Sequence, residues 1–356
     1  MNKYNNNKGL LKKKPDHKLN DFVKNPEEIT EKEATPVLTI KPMNDYIQDA
    51  KKKPIPNQLF GELWFEGEVC MMFSDTNNGK SVLAVQISEN IAKGTPILTS
   101  EETKAKRVAY LDIELSDKQI EARYSQDYKN HYKFSNNLLR LVTNPSNIST
   151  NINLEDQVLN EIIKISKEKQ IKIFVIDNIT ALVTDFEKSK NAIELMKRLR
   201  SLKNDLGLSF LVLAHTPKRD KSKEITIDHL SGSKQLSNQC DSMFAIGRSI
   251  SDEKIRYIKQ LKARFVEIKY GSNNIITCHI EKSQDNMLKF KFDGESKERF
   301  YLMTFNNDEL DKRARKIIEL RDVKKMSYEN IAKEMGIVKS TVYKIYKKAK
   351  NNETGS

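Results

Sequence analysis

Residues Phe73 to Ser81 read FSDTNNGKS, a polar loop ending in Gly-Lys-Ser. It follows the apolar run Val69, Cys70, Met71, Met72, Phe73 and precedes the helical pattern of Val82 to Lys93. Strand, polar loop and helix in that order constrain the chain strongly. The backbone NH groups of such a loop converge on phosphate oxygens, and the following helix adds the positive end of its dipole. On this pattern Ser74, Asp75, Thr76, Asn77, Asn78, Gly79, Lys80, Ser81 and Val82 form the cradle, with Lys80 over the β and γ phosphates and Ser81 on Mg²⁺. The usual GxxxxGK[ST] opens with glycine, and Ser74 stands at that position. A bare GKS also arises by chance, so the downstream residues must decide.

The 356 residues allow one large core and a small accessory domain. The formal net charge is +13, and it is uneven: Asp311 to Lys350 holds 13 Lys or Arg against 5 Asp or Glu, a local excess of +8. A polyanionic partner is therefore expected at the C-terminus, against the alternative of a solvated lysine-rich surface. Cys70, Cys240 and Cys278 are far apart and lie mostly in apolar runs, which reads as core thiols of a reducing compartment, not disulfides or zinc ligands. No run approaches roughly 18 apolar residues, and MNKYNNNKGLLKKK lacks the apolar segment of a secretory signal. The expectation is a cytoplasmic protein with no membrane partner.

Residues 1–50 are rich in Lys, Asn and Glu and read as a flexible basic arm, with a neighbouring subunit as one possible contact. From Pro54 to Phe305 short apolar runs alternate with amphipathic stretches. Strands are expected at Val69 to Phe73, Val108 to Ile113, Leu139 to Val142, Ile171 to Ile176, Leu208 to Ala214, Met243 to Ile246, Ile255 to Leu261 and Ile275 to Ile280. Helices fit Ser81 to Lys93, Ser116 to Tyr128, Leu154 to Lys169, Ser189 to Asp205 and Ser233 to Gln239. Early strands alternate with helices and later ones follow closely. That order implies an α/β fold, with a mainly parallel sheet, helices on both faces and an antiparallel extension.

IKIFVID, Ile171 to Asp177, has the form of a Walker B strand whose terminal Asp177 holds the water shell of Mg²⁺; strand ends also carry Asp for capping alone. Asn178 follows, not Glu, so a general base must come from elsewhere or the domain does not hydrolyse. Glu114, in VAYLDIELS, is the candidate, and capping of the helix near Ser116 is the alternative. LSFLVLAHTPKRD ends a further strand in Ala214, His215 and Thr216, where His215 either reads the γ phosphate or is a structural hydrogen-bonding residue. Lys218, Arg219, Lys221 and Lys223 follow in a turn-rich stretch, either gripping nucleic-acid phosphates or simply solvated. IRYIKQLKAR places Lys262 and Arg264 two apart on one face, with Arg256 and Lys259 as competing assignments.

Taken in order, these motifs resemble the RecA-like P-loop ATPases of the RepA-type hexameric replicative helicase kind, over residues 55–300. In that family the catalytic glutamate ends the strand next to the P-loop strand, unlike the AAA+ branch, where Glu adjoins the Walker B Asp. The resemblance implies catalytic Lys80, Glu114, His215, Lys262 and Arg264, with the KxR arginine acting on a neighbour's γ phosphate. It also implies Mg²⁺ on Ser81 and Asp177, and single-stranded DNA in a ring channel at Lys218, Arg219, Lys221 and Lys223. ATP, Mg²⁺ and a homo-oligomer, a hexamer by analogy, follow from it.

YENIAKEMGIVKSTVYKI places Ala332 four residues before Gly336, with Ile331, Ile337, Val342 and Ile345 spaced to pack two short helices around a tight turn. This resembles the helix-turn-helix of resolvase and sigma-like DNA-binding domains. The second helix, about Lys339 to Lys348, would present Lys339, Ser340, Thr341, Tyr343 and Lys344 to duplex DNA. A three-helix protein-interaction domain is the alternative. The expected layout is an arm at 1–50, a RecA-like ATPase domain at 51–305, a small all-α helix-turn-helix domain at 306–350 and a tail at 351–356. The leading reading is a helicase or helicase-like translocase in replication of a mobile element or phage. A DNA-binding regulator switched by ATP is the alternative, and a recombination filament protein the third.

Overall fold

The computed structural model describes residues 38–99, 103–149, 151–182, 190–216, 219–230, 233–302 and 307–353. The chain divides into two compact units, Met1–Ile55 and Pro56–Ser356. In the first, helix α1 (Met43–Lys51) carries Asp45 in its first turn and Lys51 in its last, the charge order a helix dipole favours. Lys41 Nζ lies 2.6 Å from Asp49 Oδ2, and no residue of α1 is buried. No element was expected in 1–50, because Met43, Tyr46 and Ile47 are few among polar residues.

The second unit holds one nine-stranded sheet. Its chain order is β1 (Val69–Ser74), α2 (Lys80–Lys93), β2 (Val108–Asp112), α3 (Asp117–Arg123), β3 (Leu138–Leu141), α4 (Leu154–Lys169), β4 (Ile173–Asp177), α5 (Ile179–Leu182), α6 (Lys190–Leu206) and β5 (Ser209–His215). Then come α7 (Ser233–Gln239), β6 (Ser242–Arg248), β7 (Ile255–Lys262), β8 (Ile275–Lys282), β9 (Leu288–Ser296), α8 (Asn307–Ile318), α9 (Tyr328–Met335) and α10 (Lys339–Glu353). The spatial order is β3-β2-β4-β5-β1-β6-β7-β8-β9. Strands β1 to β6 pair parallel and β6 to β9 antiparallel, so the topology is the RecA-like, mainly parallel sheet with an antiparallel extension.

The central strands are apolar throughout because both faces are covered. Val69, Met71 and Phe73 of β1 point to one face, where Leu159 and Ile162 of α4 and Leu195, Met196 and Leu199 of α6 close the core. Cys70 and Met72 point to the other, against Val82, Leu83, Val85 and Ile87 of α2. All three cysteines are buried free thiols, and burial pushes Cys240 up to about 12.

All eight expected strands are present. Strand β9 was not anticipated, since LKFKFDGES alternates lysine with phenylalanine and contains a glycine. Helix α3 stops at Arg123, short of the expected Tyr128. Its capping box, Ser116 with Gln119, sets the start, and positive φ at Asp127 and Tyr128 shows the backbone leaving helical geometry.

The C-terminal helices pack on Ile317, Leu320, Ile331, Ala332, Ile337 and Val342, with Phe300 against them. Gly336 ends α9 at φ 63, the left-handed conformation that favours glycine, and a Cβ there would stand a tight 3.0 Å from Phe300 Cε2. Ser296 Oγ donates to the Gly336 carbonyl at 2.6 Å, and Val338 is buried with the core of the sheet domain. The helix-turn-helix is thus fastened to the end of β9.

Candidate nucleotide site and DNA-reading helices

β1 ends at Ser74, and the loop turns through Asn77 (φ 63) and Gly79 (φ 92) into α2. Gly79 suits that left-handed turn, and a Cβ there would also push on Ile280 Cδ1, 2.5 Å away. Ser74 keeps extended backbone as the last residue of β1, which explains why the expected glycine is dispensable. Its carbonyl and hydroxyl oxygens lie 3.1 and 3.4 Å from Lys80 Nζ. Asn78 is buried and donates to Ile246 O at 3.3 Å, Thr76 and Asn77 are exposed, and Val82 packs into the core.

Strand register assembles the rest. Ser74 pairs with His215 across β1 and β5, and Asp112 with Asp177 across β2 and β4. His215 Nδ1 lies 3.1 Å from Lys80 Nζ, and its Nε2 lies 3.2 Å from Asn178 Nδ2 and 3.5 Å from Glu114 Oε1. Because an ammonium only donates, Nδ1 accepts from Lys80, which leaves the ring proton on Nε2, facing Glu114; the Asn178 amide nitrogen is a second donor beside Nε2 and makes no hydrogen bond to it. Asn178 Oδ1 accepts from Ala181 N at 3.1 Å, so its amide nitrogen faces Glu114 and donates to it. Lys80, His215, Asn178 and Glu114 therefore form one connected chain of side chains.

Asp177 is buried and accepts from the Tyr110 hydroxyl at 2.6 Å and from the Ser81 hydroxyl. Burial raises its carboxyl above the usual range, and those two hydrogen bonds oppose the rise. Burial lowers Lys80 to about 8, against the pull of Asp177, Glu114 and Asp75. A hydroxyl and a carboxylate in contact are the hard oxygen donors Mg²⁺ takes, and a buried lysine in the first turn of α2 suits phosphate, so the residues fit a magnesium nucleotide.

Three site residues escaped the sequence reading. Asn178 was read only as a missing glutamate, yet its amide nitrogen donates to Glu114. Asp112 Oδ1 accepts from Glu114 N at 3.2 Å and Leu115 N at 3.0 Å, fixing the turn that carries Glu114. Arg140 of β3 holds Asp112 Oδ2 at 3.0 Å. The strand-end Asp in VAYLDIELS was the available signal for Asp112; nothing local marks Arg140. One expectation needs correction. Glu114 does not follow the strand next to the P-loop strand, because β5 and β6 flank β1, while β2 lies beyond β4.

Lys262 and Arg264 stand elsewhere. Because β7 runs antiparallel to β6, Lys262 is level with Met243, at the edge of the sheet where β1 begins. Lys262 Nζ donates to Ser237 O at 2.5 Å, and Arg264 reaches Asp241 Oδ1 at 3.0 Å and Asn238 O at 2.9 Å. Burial first, then Arg264, lowers the pKa of Lys262. Of the competing residues, Lys259 is buried on Glu298 at 2.5 Å, and Arg256 binds Glu253 O and Lys254 O on its own turn.

In the loop after β5, Lys221 and Lys223 are exposed, Lys218 lies outside the described residues, and the Arg219 side chain is only 4% exposed. On α10, Lys339, Ser340 and Tyr343 are exposed and line a cleft against Phe292 and Asp293 of β9. Tyr343 stacks edge-on against Tyr328, and the Thr341 hydroxyl is buried. Lys344 Nζ lies 2.6 Å from Asp252 Oδ2, in the turn between β6 and β7.

Residues 35–221 match the family model of an AAA domain. The chain belongs to the AAA domain family. Within this AAA domain the glutamate stands on the turn after β2 and not beside Asp177. Residues 308–352 match Sigma-70, region 4, so the C-terminal helices are of a DNA-binding helix-turn-helix kind. Among solved structures, a KaiC-like protein from the hyperthermophilic archaeon Pyrococcus horikoshii OT3 is similar at 14% identity and TM-score 0.44, over 64% of this chain and 91% of that one. No curated protein matches. Among the described residues no helix is long and apolar enough to cross a membrane.

Proposed function

We propose that this chain is an ATP-hydrolysing, oligomeric DNA-binding protein of the RepA-like helicase type, acting in replication of a mobile element or phage. The observation that carries the proposal is the continuous contact from Lys80 through His215 to Glu114, which Asn178 also holds, on a chain that also bears a helix-turn-helix. In this reading residues 51–305 form the ATPase domain and 306–350 the DNA-binding domain.

Glu114 acts as general base, taking a proton from the water that attacks the γ phosphorus while the bond to the β,γ-bridging oxygen breaks and ADP departs. Lys80 neutralises the β and γ oxygens, and His215, between Lys80 and Glu114, senses loss of the γ phosphate. Ser81 and Asp177 would hold Mg²⁺, which supplies charge stabilisation on the phosphates. Arg264 completes the site of a neighbouring subunit in a hexamer. Lys218, Lys221 and Lys223 grip single-stranded DNA in the channel, and α10 reads duplex DNA with Lys339, Ser340, Tyr343 and Lys344; Thr341, expected among them, has its hydroxyl buried and does not face DNA.

ATP-dependent strand displacement by the purified chain tests the proposal. Displacement that needs hydrolysable ATP and is lost in Glu114→Gln is expected. A chain that hydrolyses ATP and binds a defined duplex site yet displaces nothing belongs to the second reading, an ATP-switched regulator. That reading is favoured by the contacts of Ser296 with Gly336 and of Asp252 with Lys344, which join the DNA-reading helices to the ATPase sheet.

A further inference from the structure

Arg219 was read with the lysines around it as a phosphate-gripping cation, but it is folded inward. Its Nε lies 3.3 Å from Asp75 Oδ2, and Thr216 Oγ1 donates to Asp75 Oδ1 at 2.6 Å. Both carboxylate oxygens of Asp75, the residue that opens the P-loop after β1, are thus held by the segment that follows β5.

The guanidinium has further partners. Nη1 lies 3.4 Å from the carbonyl oxygens of Asp220 and of Lys223, and the side chain also hydrogen-bonds the Tyr257 hydroxyl. Tyr257 donates in turn to Glu298 Oε1 at 3.2 Å, and Glu298 is fully buried on Lys259 and the Ile225 amide. A guanidinium folded inward, with its side chain only 4% exposed and ion-paired to Asp75, is poorly placed to reach a phosphodiester.

Electrostatics gives this clamp a purpose. Asp75 puts a carboxylate at the mouth of a loop built to bind phosphates, where an uncompensated negative charge opposes binding. Arg219 cancels that charge and fixes the carboxylate that the loop starts from.

We infer that Arg219 is a positioning residue of the nucleotide site, acting through Asp75, and not a nucleic-acid contact. The inference rests on the reading of FSDTNNGKS as an ATP site.

The test uses the full chain, a fluorescent ATP analogue with Mg²⁺, and single-stranded DNA titrated at several salt concentrations. Arg219→Ala should weaken nucleotide binding roughly tenfold, the scale of a lost charged hydrogen bond, and leave DNA affinity within about twofold. Arg219→Lys should recover part of the loss. Asp75→Asn combined with Arg219→Ala should recover most of it, because removing the carboxylate removes the need for the cation.

A loss in the double variant equal to the sum of the single losses overturns the inference. So does an Arg219→Ala chain with unchanged nucleotide affinity and a DNA salt slope reduced by about one, the signature expected of the exposed Lys221→Ala. If Arg219→Ala does not fold, Arg219→Lys and the double variant decide alone. A wild-type chain that binds no nucleotide overturns the ATP-site reading and the inference together, whereas wild-type binding with an indifferent Arg219 overturns only the inference.

Discussion

The two ends of the sheet use charged side chains in opposite ways. Where β1, β4 and β5 end, Lys80, Glu114, Asn178 and His215 touch one another, and Asp177 meets Ser81. Where β1 begins, Lys262 and Arg264 bond instead to the junction of α7 and β6: the Ser237 and Asn238 carbonyls and Asp241. Six residues of β1 separate the two ends, roughly 17 to 20 Å of strand. The first group is organised within one chain, and the second cannot reach that chain's own phosphates. If Arg264 acts in catalysis, it acts on another copy.

Arg264→Ala therefore has the largest expected effect. Removing an arginine that neutralises charge on a transferring phosphoryl group costs roughly 10³ to 10⁵ in rate. The sharper experiment mixes two inactive variants, Arg264→Ala and Glu114→Gln. A shared site recovers ATPase activity in the mixture, since some boundaries pair an intact Glu114 with an intact Arg264. A mixture as inactive as its components returns Arg264 to being a structural partner of Asp241.

Glu114→Gln alone comes next. Loss of a general base is worth roughly 10² to 10⁴ in kcat, while nucleotide affinity should hold, because Glu114 faces Asn178 and His215 and not the cradle NH groups. A Glu114→Gln chain that keeps wild-type turnover would leave the glutamate as no more than a helix-capping group.

Much of this was legible from the sequence. FSDTNNGKS, IKIFVID and LSFLVLAH announce themselves because buried parallel strands are continuous apolar runs and their polar ends are abrupt. Asn178 and Arg140 were not legible, because their roles come from register between strands far apart in sequence: β2 lies beside both β3 and β4. Arg219 misled for the converse reason. A basic run looks uniform in sequence, yet Lys221 faces water while Arg219 is folded under the P-loop. In the C-terminal module the Ala332, Gly336 spacing revealed the two helices, and nothing in it foretold that Lys344 would meet Asp252.

A third prediction separates the two ends by pH. Lys80 has its pKa lowered to about 8. Above that value the unliganded site loses its positive charge, and phosphate binding must then take up a proton. Nucleotide Kd should be flat below pH 7 and rise about tenfold between pH 8 and 9.5, one decade per unit once the charged form is scarce. Because the folded pKa lies below the ordinary lysine value, stability contributed by this group rises with pH from about 8 towards 10.5, opposite in sign to the loss of binding. Lys80→Ala should flatten both profiles, and a pH-independent Kd in the wild type would mean that the lysine stays charged in the empty site.

The smallest effect concerns the contact between the ATPase sheet and the reading helix. Lys344 is spoken for by Asp252 at 2.6 Å, but the pair is half-exposed, so water competes for both charges and their coupling is weak. Asp252→Ala leaves the fold of α10 intact, since Ile317, Leu320, Ile331 and Val342 hold that helix, and releases one lysine towards DNA. Duplex affinity should rise about two- to fivefold, with a salt slope steeper by about one phosphate contact. Lys344→Ala should lower it and remove the response to Asp252→Ala. Equal duplex binding by all three chains would place Lys344 outside the DNA contact and leave its ion pair as a tie between the two domains.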